Sequence, residues 1–319
     1  MTSLPSPLRG IIPPMITPLL DRDTLDTAGL ERLIEHILKG GVSGLFILGT
    51  SGEGPSLSYR LRGELITRTC RQVAARVPVL VGVTDTAFVE SLNLAQAAAA
   101  AGAAAVVLAP PPYFPLEQLE LYSYLDHLLP ELPLPLFLYN MPGLTKLAFD
   151  PATVRRAMDH PGIVGLKDSS GDLNYFRQLC ELLPRRTDWT LLMGPEELLV
   201  QAMALGAHGG VCGGANVFPL LYVELWQAAH QRDVDRVEQL QAQVIDLADH
   251  LYGPGRRCAA VLKGMKCALA CLGICTDLLS EPYQRAEEEQ KRRIQTFLER
   301  VRALPCQTED HRTTGPQDH

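Results

Sequence analysis

Ile163-Val164-Gly165-Leu166-Lys167-Asp168-Ser169-Ser170-Gly171-Asp172 is the stretch that decides how this chain is read. A short apolar run ends in a lysine, and a turn-like series of Asp, Ser and Gly follows. A continuous apolar run bounded by turn residues has the pattern of a strand buried on both faces. Outward from it, seven further runs read the same way: Gly10–Ile16, Gly44–Leu48, Val79–Val83, Ala105–Ala109, Leu134–Tyr139, Trp189–Met193 and Gly210–Cys212, with Ile163–Lys167 as the sixth of eight. Helical patterns lie between them, at Thr27–Lys39, Ser58–Ala75, Phe88–Ala101, Leu116–Leu128, Pro151–Met158, Leu173–Leu182, Pro195–Leu205 and Pro219–Gln231. Asp150-Pro151 is a helix start, an N-cap followed by proline at the first helical position. Gly40-Gly41 is a stop.

Eight strands alternating with eight helices is the count of an α/β (β/α)8 TIM barrel. A doubly wound sheet is the alternative, but it usually carries a Gly-rich phosphate turn after its first strand. Pro13-Pro14-Met15-Ile16-Thr17-Pro18 stands there instead. Beyond Gln231 the pattern is helical only: Asp233–Leu251, Arg256–Leu272 and Pro282–Leu304. The expected organisation is a barrel over residues 1–231, a C-terminal helical extension over 232–304, and a disordered polar tail over 305–319.

The chain has 319 residues, 46% hydrophobic and 20% charged, with a net charge of −7. That suits a large apolar core. It carries no basic stripe, which argues against a nucleic-acid partner. No apolar run reaches membrane-spanning length, and the first residues lack a secretory pattern. The eight cysteines form no CxxC pair. Cys267, Cys271 and Cys275 recur every four residues and are expected on one helical face, as packing residues rather than metal ligands. Reduced thiols in a cytoplasm follow from this usage.

In a TIM barrel the loops after the strands share one face, where active sites sit. Thr50 and Ser51 follow the second strand, Tyr113 the fourth and Glu196 the seventh, while Tyr139 ends the fifth and Lys167 the sixth. The chain has six lysines, and Lys167 alone ends a buried strand; Lys39, Lys263, Lys266 and Lys291 read as helical and Lys146 as a loop residue. A lysine at a strand end can be a structural ion-pair partner, here of Asp168 or Asp172. Beside a tyrosine and two hydroxyls it is instead an inventory for Schiff-base chemistry on a keto acid. A free lysine amine titrates near ~10.4, so at neutral pH roughly one in a few thousand is nucleophilic, and an apolar barrel interior favours that neutral form by desolvation. The neutral amine attacks a ketone, and the resulting iminium stabilises a neighbouring carbanion as an enamine. A Tyr139 hydroxyl linked to Thr50 can shuttle the protons. Gly49-Thr50-Ser51-Gly52-Glu53 offers backbone N–H groups and two hydroxyls to a carboxylate.

These residues together resemble the dihydrodipicolinate synthase/N-acetylneuraminate lyase family of class I aldolases, over nearly the whole chain from about Gly10 to Leu304. Gly49-Thr50-Ser51-Gly52-Glu53 resembles the family's first-loop motif. Tyr139-Asn140-Met141-Pro142 and Gly165-Leu166-Lys167-Asp168-Ser169-Ser170-Gly171-Asp172, with 28 positions from Tyr139 to Lys167, are similar to its paired signature. The resemblance implies Lys167 as the Schiff-base lysine, Tyr139 as general acid/base, and Thr50 and Ser51 as relay and carboxylate ligands. It implies pyruvate or another 2-keto acid as partner, no metal, no organic cofactor, and a homotetramer built from tight dimers. Tyr113 in Pro110-Pro111-Pro112-Tyr113-Phe114 matches the tyrosine that in relatives enters a neighbouring subunit's site.

The second substrate is read from departures. Synthases that make dihydrodipicolinate usually have Arg where Leu144 stands, and leucine cannot replace a guanidinium fork. Leu144 looks more like the sugar-acid lyases. Glu196, in Gly194-Pro195-Glu196-Glu197, matches acidic residues that bind polyol hydroxyls in neuraminate lyases; acids in a first helical turn also simply suit the dipole. Gly210-Val211-Cys212-Gly213-Gly214-Ala215-Asn216 looks like the 4-hydroxy-2-oxoglutarate aldolase branch, although Ser51 departs from the Asn of that branch. Gly213 and Gly214 leave room for a substrate carboxylate. The expectation is a lyase for a 2-keto-3-deoxy sugar acid or a 4-hydroxy-2-oxoglutarate type substrate. The alternatives are a synthase condensing pyruvate with aspartate semialdehyde, and a non-catalytic keto-acid-binding barrel. A metal-dependent aldolase needs clustered histidines at strand ends, and His36, His127, His160 and His208 show no such grouping.

Overall fold

The computed structural model describes residues 4–253 and 258–303. Eight parallel strands run Gly10–Ile11 (β1), Leu45–Ile47 (β2), Val79–Gly82 (β3), Ala105–Leu108 (β4), Leu136–Asn140 (β5), Ile163–Asp168 (β6), Thr190–Met193 (β7) and Gly209–Gly210 (β8). Their hydrogen-bonded order is β1-β8-β7-β6-β5-β4-β3-β2. The ring closes between β1 and β2 through a parallel bridge of Pro14 to Phe46, where Met15 donates to the Phe46 carbonyl at 2.8 Å and Phe46 to Pro13 at 3.0 Å.

Period-two alternation sorts the strand residues into two layers. Ile12, Phe46, Leu80, Val107, Phe137 and Leu192 meet inside the barrel. Leu45, Ile47, Val81, Val106, Leu138 and Leu166 face the surrounding helices. Those helices are Thr27–Lys39 (α1), Tyr59–Val73 (α2), Phe88–Ala101 (α3), Gln118–Leu128 (α4), Pro142–Thr145 (α5), Pro151–Ala157 (α6), Leu173–Cys180 (α7), Leu199–Leu205 (α8) and Pro219–Gln231 (α9). In α1 the Asp26 side chain caps Gly29 N–H at 2.8 Å, and Leu30, Leu33, Ile34 and Ile37 bury one stripe. The C-terminal layer is Val234–Tyr252 (α10), Cys258–Cys271 (α11) and Glu288–Ala303 (α12). Helix α10 packs on α9, and α11 packs on α10 and on the turn after β8.

Several boundaries differ from the sequence expectation. Strand β1 stops at Ile11 because Pro13 and Pro14 lack the N–H a ladder needs. Strand β5 begins after Pro135 for the same reason. Strand β8 is Gly209–Gly210 rather than Gly210–Cys212; a Cβ on Gly209 would sit 1.9 Å from the Gly10 carbonyl, so only glycine lets β8 approach β1. The segment Pro195–Leu205 divides into a 3-10 turn, Glu196–Leu198, and α8. Helix α5 was not expected. Asp150 is an N-cap by position only, since its side chain makes no capping bond. Helix α12 begins at Glu288, not at Pro282; a turn closed by Tyr283 N–H on Ser280 O fills the interval. Cys267 and Cys271 lie on α11, but Gly273, with φ 73°, turns the chain before Cys275. The expected tail, residues 305–319, lies outside the described residues. Among the described residues no helix is long and apolar enough to cross a membrane, and no group of three or more His, Cys, Asp or Glu side chains could hold a metal ion.

Candidate active site

Strands β5 and β6 pair in register, Tyr139 opposite Lys167 and Asn140 opposite Asp168. Alternation then sends the two pairs to opposite faces. Tyr139 belongs to the interior cluster, and Lys167 points in beside it. Lys167 Nζ lies 4.2 Å from the Tyr139 ring centre and 5.0 Å from that of Phe46, and the residue is 6% exposed. The two rings meet edge to face. The amine therefore stands among aromatic carbon, not among carboxylates.

The neighbouring acids are engaged elsewhere. Asp168 accepts from Asn140 Nδ2 at 2.8 Å, from Ser170 N–H at 3.0 Å and from Ser170 Oγ at 2.9 Å. Burial raises its carboxyl above the usual range, and these bonds oppose that rise. Asn140 also accepts from Phe149 N–H at 3.0 Å, so the Asn140–Asp168 brace locks the two strand ends together. Asp172 caps α7 through the N–H groups of Asn174 and Tyr175. The structural ion-pair reading of Lys167 thus has no partner in either aspartate.

The loop after β2 brings a hydroxyl across the mouth. Thr50 Oγ lies 3.2 Å from the Tyr139 hydroxyl oxygen. The loop is a tight turn in which Glu53 N–H donates to Thr50 O at 3.0 Å and Gly54 N–H to Gly49 O at 3.2 Å. Leu48 and Glu53 both take left-handed backbone, with φ 57° and 56°. Thr17 Oγ holds the Gly52 carbonyl at 2.7 Å, and Ser51 is half-buried at the tip. Glu53 runs the other way, into a buried ion pair with Lys266 of α11 at 2.9 Å.

Other expected residues fall outside this constellation. Tyr113 is 85% exposed with φ 89° and packs its ring edge to face with Phe114. Leu144 is exposed on α5. Glu196 is buried and fully engaged: one oxygen accepts from Tyr222 at 2.8 Å and Tyr252 at 3.0 Å, the other from Gly214 N–H at 2.7 Å. Burial raises its carboxyl, and those three bonds oppose the rise. A Cβ on Gly214 would come 2.0 Å from the Tyr222 oxygen, so the space at that glycine is filled by tyrosine. Gly213 is half-buried, and a Cβ there would approach Met265 Sδ at 3.3 Å.

Sequence reasoning gave Asn140 and Asp168 no bracing role, and Glu53 and Lys266 no role in the site. The first two carried a signal: they repeat the 28-residue spacing of Tyr139 and Lys167 one position later. Lys266 carried a fainter one, a lysine inside the apolar run Met265-Lys266-Cys267-Ala268-Leu269.

A TIM barrel with a buried lysine beside a Tyr–Thr hydroxyl pair at the mouth is the architecture of the Schiff-base lyases, the class I aldolases. Within that class, residues 7–301 match the model of the dihydrodipicolinate synthetase family, and the chain belongs to that family. It is 34% identical over 240 residues to a 4-hydroxy-tetrahydrodipicolinate synthase of Polynucleobacter asymbioticus, covering 75% of this chain and 78% of that protein. It is 51% identical, with a TM-score of 0.89, to the structure of dihydrodipicolinate synthase from Bacteroides thetaiotaomicron, covering 92% of this chain and 99% of the other. A prophage protein of the dihydrodipicolinic acid synthase family from E. coli K12, solved in complex with pyruvate, is 27% identical with a TM-score of 0.85, covering 92% of this chain and 98% of the other.

Proposed function

We propose that this chain captures pyruvate, or another 2-keto acid, on Lys167 and makes or breaks a carbon–carbon bond through the resulting enamine. The observation that carries the reading is the register pairing of Lys167 with Tyr139, whose hydroxyl meets Thr50 at 3.2 Å. The neutral amine adds to the C2 carbonyl to form a carbinolamine. Tyr139 gives a proton to the departing hydroxyl, water leaves and the iminium forms; Tyr139 regains its proton through Thr50. In the cleavage direction the bond between C3 and C4 of a 4-hydroxy keto acid breaks. Its electron pair enters the iminium to give the enamine, and the 4-hydroxyl proton passes through the Tyr139–Thr50 relay to solvent as an aldehyde departs. Protonation at C3 and hydrolysis release pyruvate. Ser51 and the Gly49–Gly54 turn offer donors for the keto-acid carboxylate.

Leu144 supports a second substrate that is not held by a guanidinium at this position, of the 2-keto-3-deoxy sugar acid or 4-hydroxy-2-oxoglutarate type. The names of the relatives support a second reading, condensation of pyruvate with aspartate semialdehyde. Borohydride reduction with pyruvate, followed by intact mass and peptide mapping, tests the capture: a reduced adduct on Lys167 is expected, and an unmodified folded chain favours the non-catalytic binding barrel. Pyruvate release from the two classes of cleavage substrate, against a coupled aspartate semialdehyde assay, separates the two readings. Robust synthase turnover decides for the second. The exposed Tyr113–Phe114 pair supports assembly into a homo-oligomer, a tetramer of tight dimers, that covers it. A monomeric mass in solution sinks that part.

A further inference from the structure

Glu53 and Lys266 are 213 residues apart in sequence, and both side chains are 0% exposed. Lys266 Nζ donates to Glu53 Oε2 at 2.9 Å and to the Leu278 carbonyl at 2.6 Å. Ser280 N–H reaches the same Glu53 oxygen at 3.3 Å. The C-terminal layer therefore grips one side chain of the β2 loop from both α11 and the segment after it. A buried ion pair is an inefficient way to gain stability, because desolvating both charges offsets their attraction, and well-packed apolar residues of similar size do as well. What charge supplies here is direction, since Lys266 Nζ and Ser280 N–H both converge on one Glu53 oxygen, Oε2, and so draw the loop to them. That placement is locally unfavourable: the loop enters through left-handed Leu48 and leaves through left-handed Glu53, neither of them glycine. Glu53 N–H closes the turn on the Thr50 carbonyl, so whatever fixes Glu53 also fixes Thr50.

We propose that Glu53 and Lys266 are positioning residues which hold Thr50 against the Tyr139 hydroxyl, so that the C-terminal helices complete the proton relay. This rests on the relay reading of Thr50 and Tyr139 given above. It assigns a function to the C-terminal layer, and to a lysine that its helix pattern made ordinary.

The test needs no knowledge of the second substrate. Pyruvate in D2O exchanges its methyl protons through the iminium and enamine, and NMR reads the rate; borohydride trapping reads capture separately. E53Q/K266M removes both charges at nearly constant volume. It is expected to slow exchange about ten- to a hundredfold in kcat, with KM for pyruvate within about twofold. T50V is expected to slow exchange at least as much. The triple variant should be no slower than T50V by more than about twofold, because the pair acts through Thr50. Multiplicative losses in the triple variant overturn the proposal, as does undiminished exchange in a folded E53Q/K266M. Should that variant not fold, E53Q alone carries the test; it keeps shape and an acceptor, and a loss of about three- to tenfold is expected, again absorbed by T50V. Wild-type exchange in E53Q then overturns the proposal. T50V exchanging at the wild-type rate defeats the relay and this inference with it, while leaving capture intact. Failure to trap pyruvate on the wild-type chain defeats the capture itself.

Discussion

The two ends of the barrel use polar side chains in different ways. At the end where the strands begin, side chains close off backbone groups. Thr190 Oγ accepts from Leu8 N–H at 2.9 Å, and Trp189 Nε1 donates to Ile163 O at 3.1 Å. Arg186 Nη1 donates at 3.1 Å to each of the Met158, His160 and Ile163 carbonyls, and His208 Nδ1 accepts from Leu191 N–H at 3.0 Å. At the mouth, side chains bond to one another: Thr50 with Tyr139, Lys266 with Glu53, and Tyr222 and Tyr252 with Glu196. A side chain that completes the backbone can only hold the fold. A hydroxyl whose partner is another hydroxyl can still exchange that partner for a substrate. The difference predicts that changes at the Thr50–Tyr139 hydroxyl pair cost rate at little cost in stability, and changes at the floor do the reverse.

The sharpest test is K167R. Arginine keeps a long side chain at the strand end but offers no amine for a carbonyl, so turnover should fall by about 10⁴-fold or more while the urea midpoint holds. Retained turnover would end the covalent route. Next comes Y139F, which removes the shuttle and leaves the ring against Lys167. A loss of about 10²- to 10⁴-fold in kcat is expected, with pyruvate still slowly trapped by borohydride. A large drop in stability instead would make Tyr139 a floor-type residue in the wrong place. At the floor, R186A leaves three carbonyls without their shared donor. It should lower unfolding free energy by about 1–3 kcal/mol, with exchange per folded molecule unchanged.

The smallest expected effect is a pH dependence at His208. Burial, and then the nearby Arg9 charge, lower its imidazole from 6.5 to about 4. Between those values the unfolded chain takes up a proton that the folded chain refuses. Stability is therefore fully present above pH 6.5 and declines as pH falls toward 4. Denaturant unfolding over this range should show a slope that H208N flattens by about 1–2 kcal/mol after allowance for partial solvent screening. Identical slopes in both chains would place the titrating group elsewhere.

The order of elements was legible because apolar runs and turn residues are local properties. Helices α1, α3 and α9 begin and end at the expected residues. Strand ends were less so: the extent of β1 and β5 depends on where a proline leaves a neighbour's carbonyl without a donor, and that requires knowing the neighbour. Within the site, Lys167 and Tyr139 could be singled out from strand-end position and motif. Glu196 shows the limit. From sequence it was an acid at a loop and a candidate for binding polyol hydroxyls, but its carboxylate is satisfied by two tyrosines, one of them 56 residues away on α10.

The sequence alone determined the alternation of eight strands with helices, and a lysine and tyrosine at two strand ends, because each is written within a few neighbouring residues. Tertiary structure decided which acids are spent on structure, where Tyr113 stands and what holds the Thr50 turn. The bond between Glu53 and Lys266 spans 213 residues. No local period or turn chemistry encodes such a contact; it exists only once the C-terminal helices have packed against the barrel and removed both charges from water.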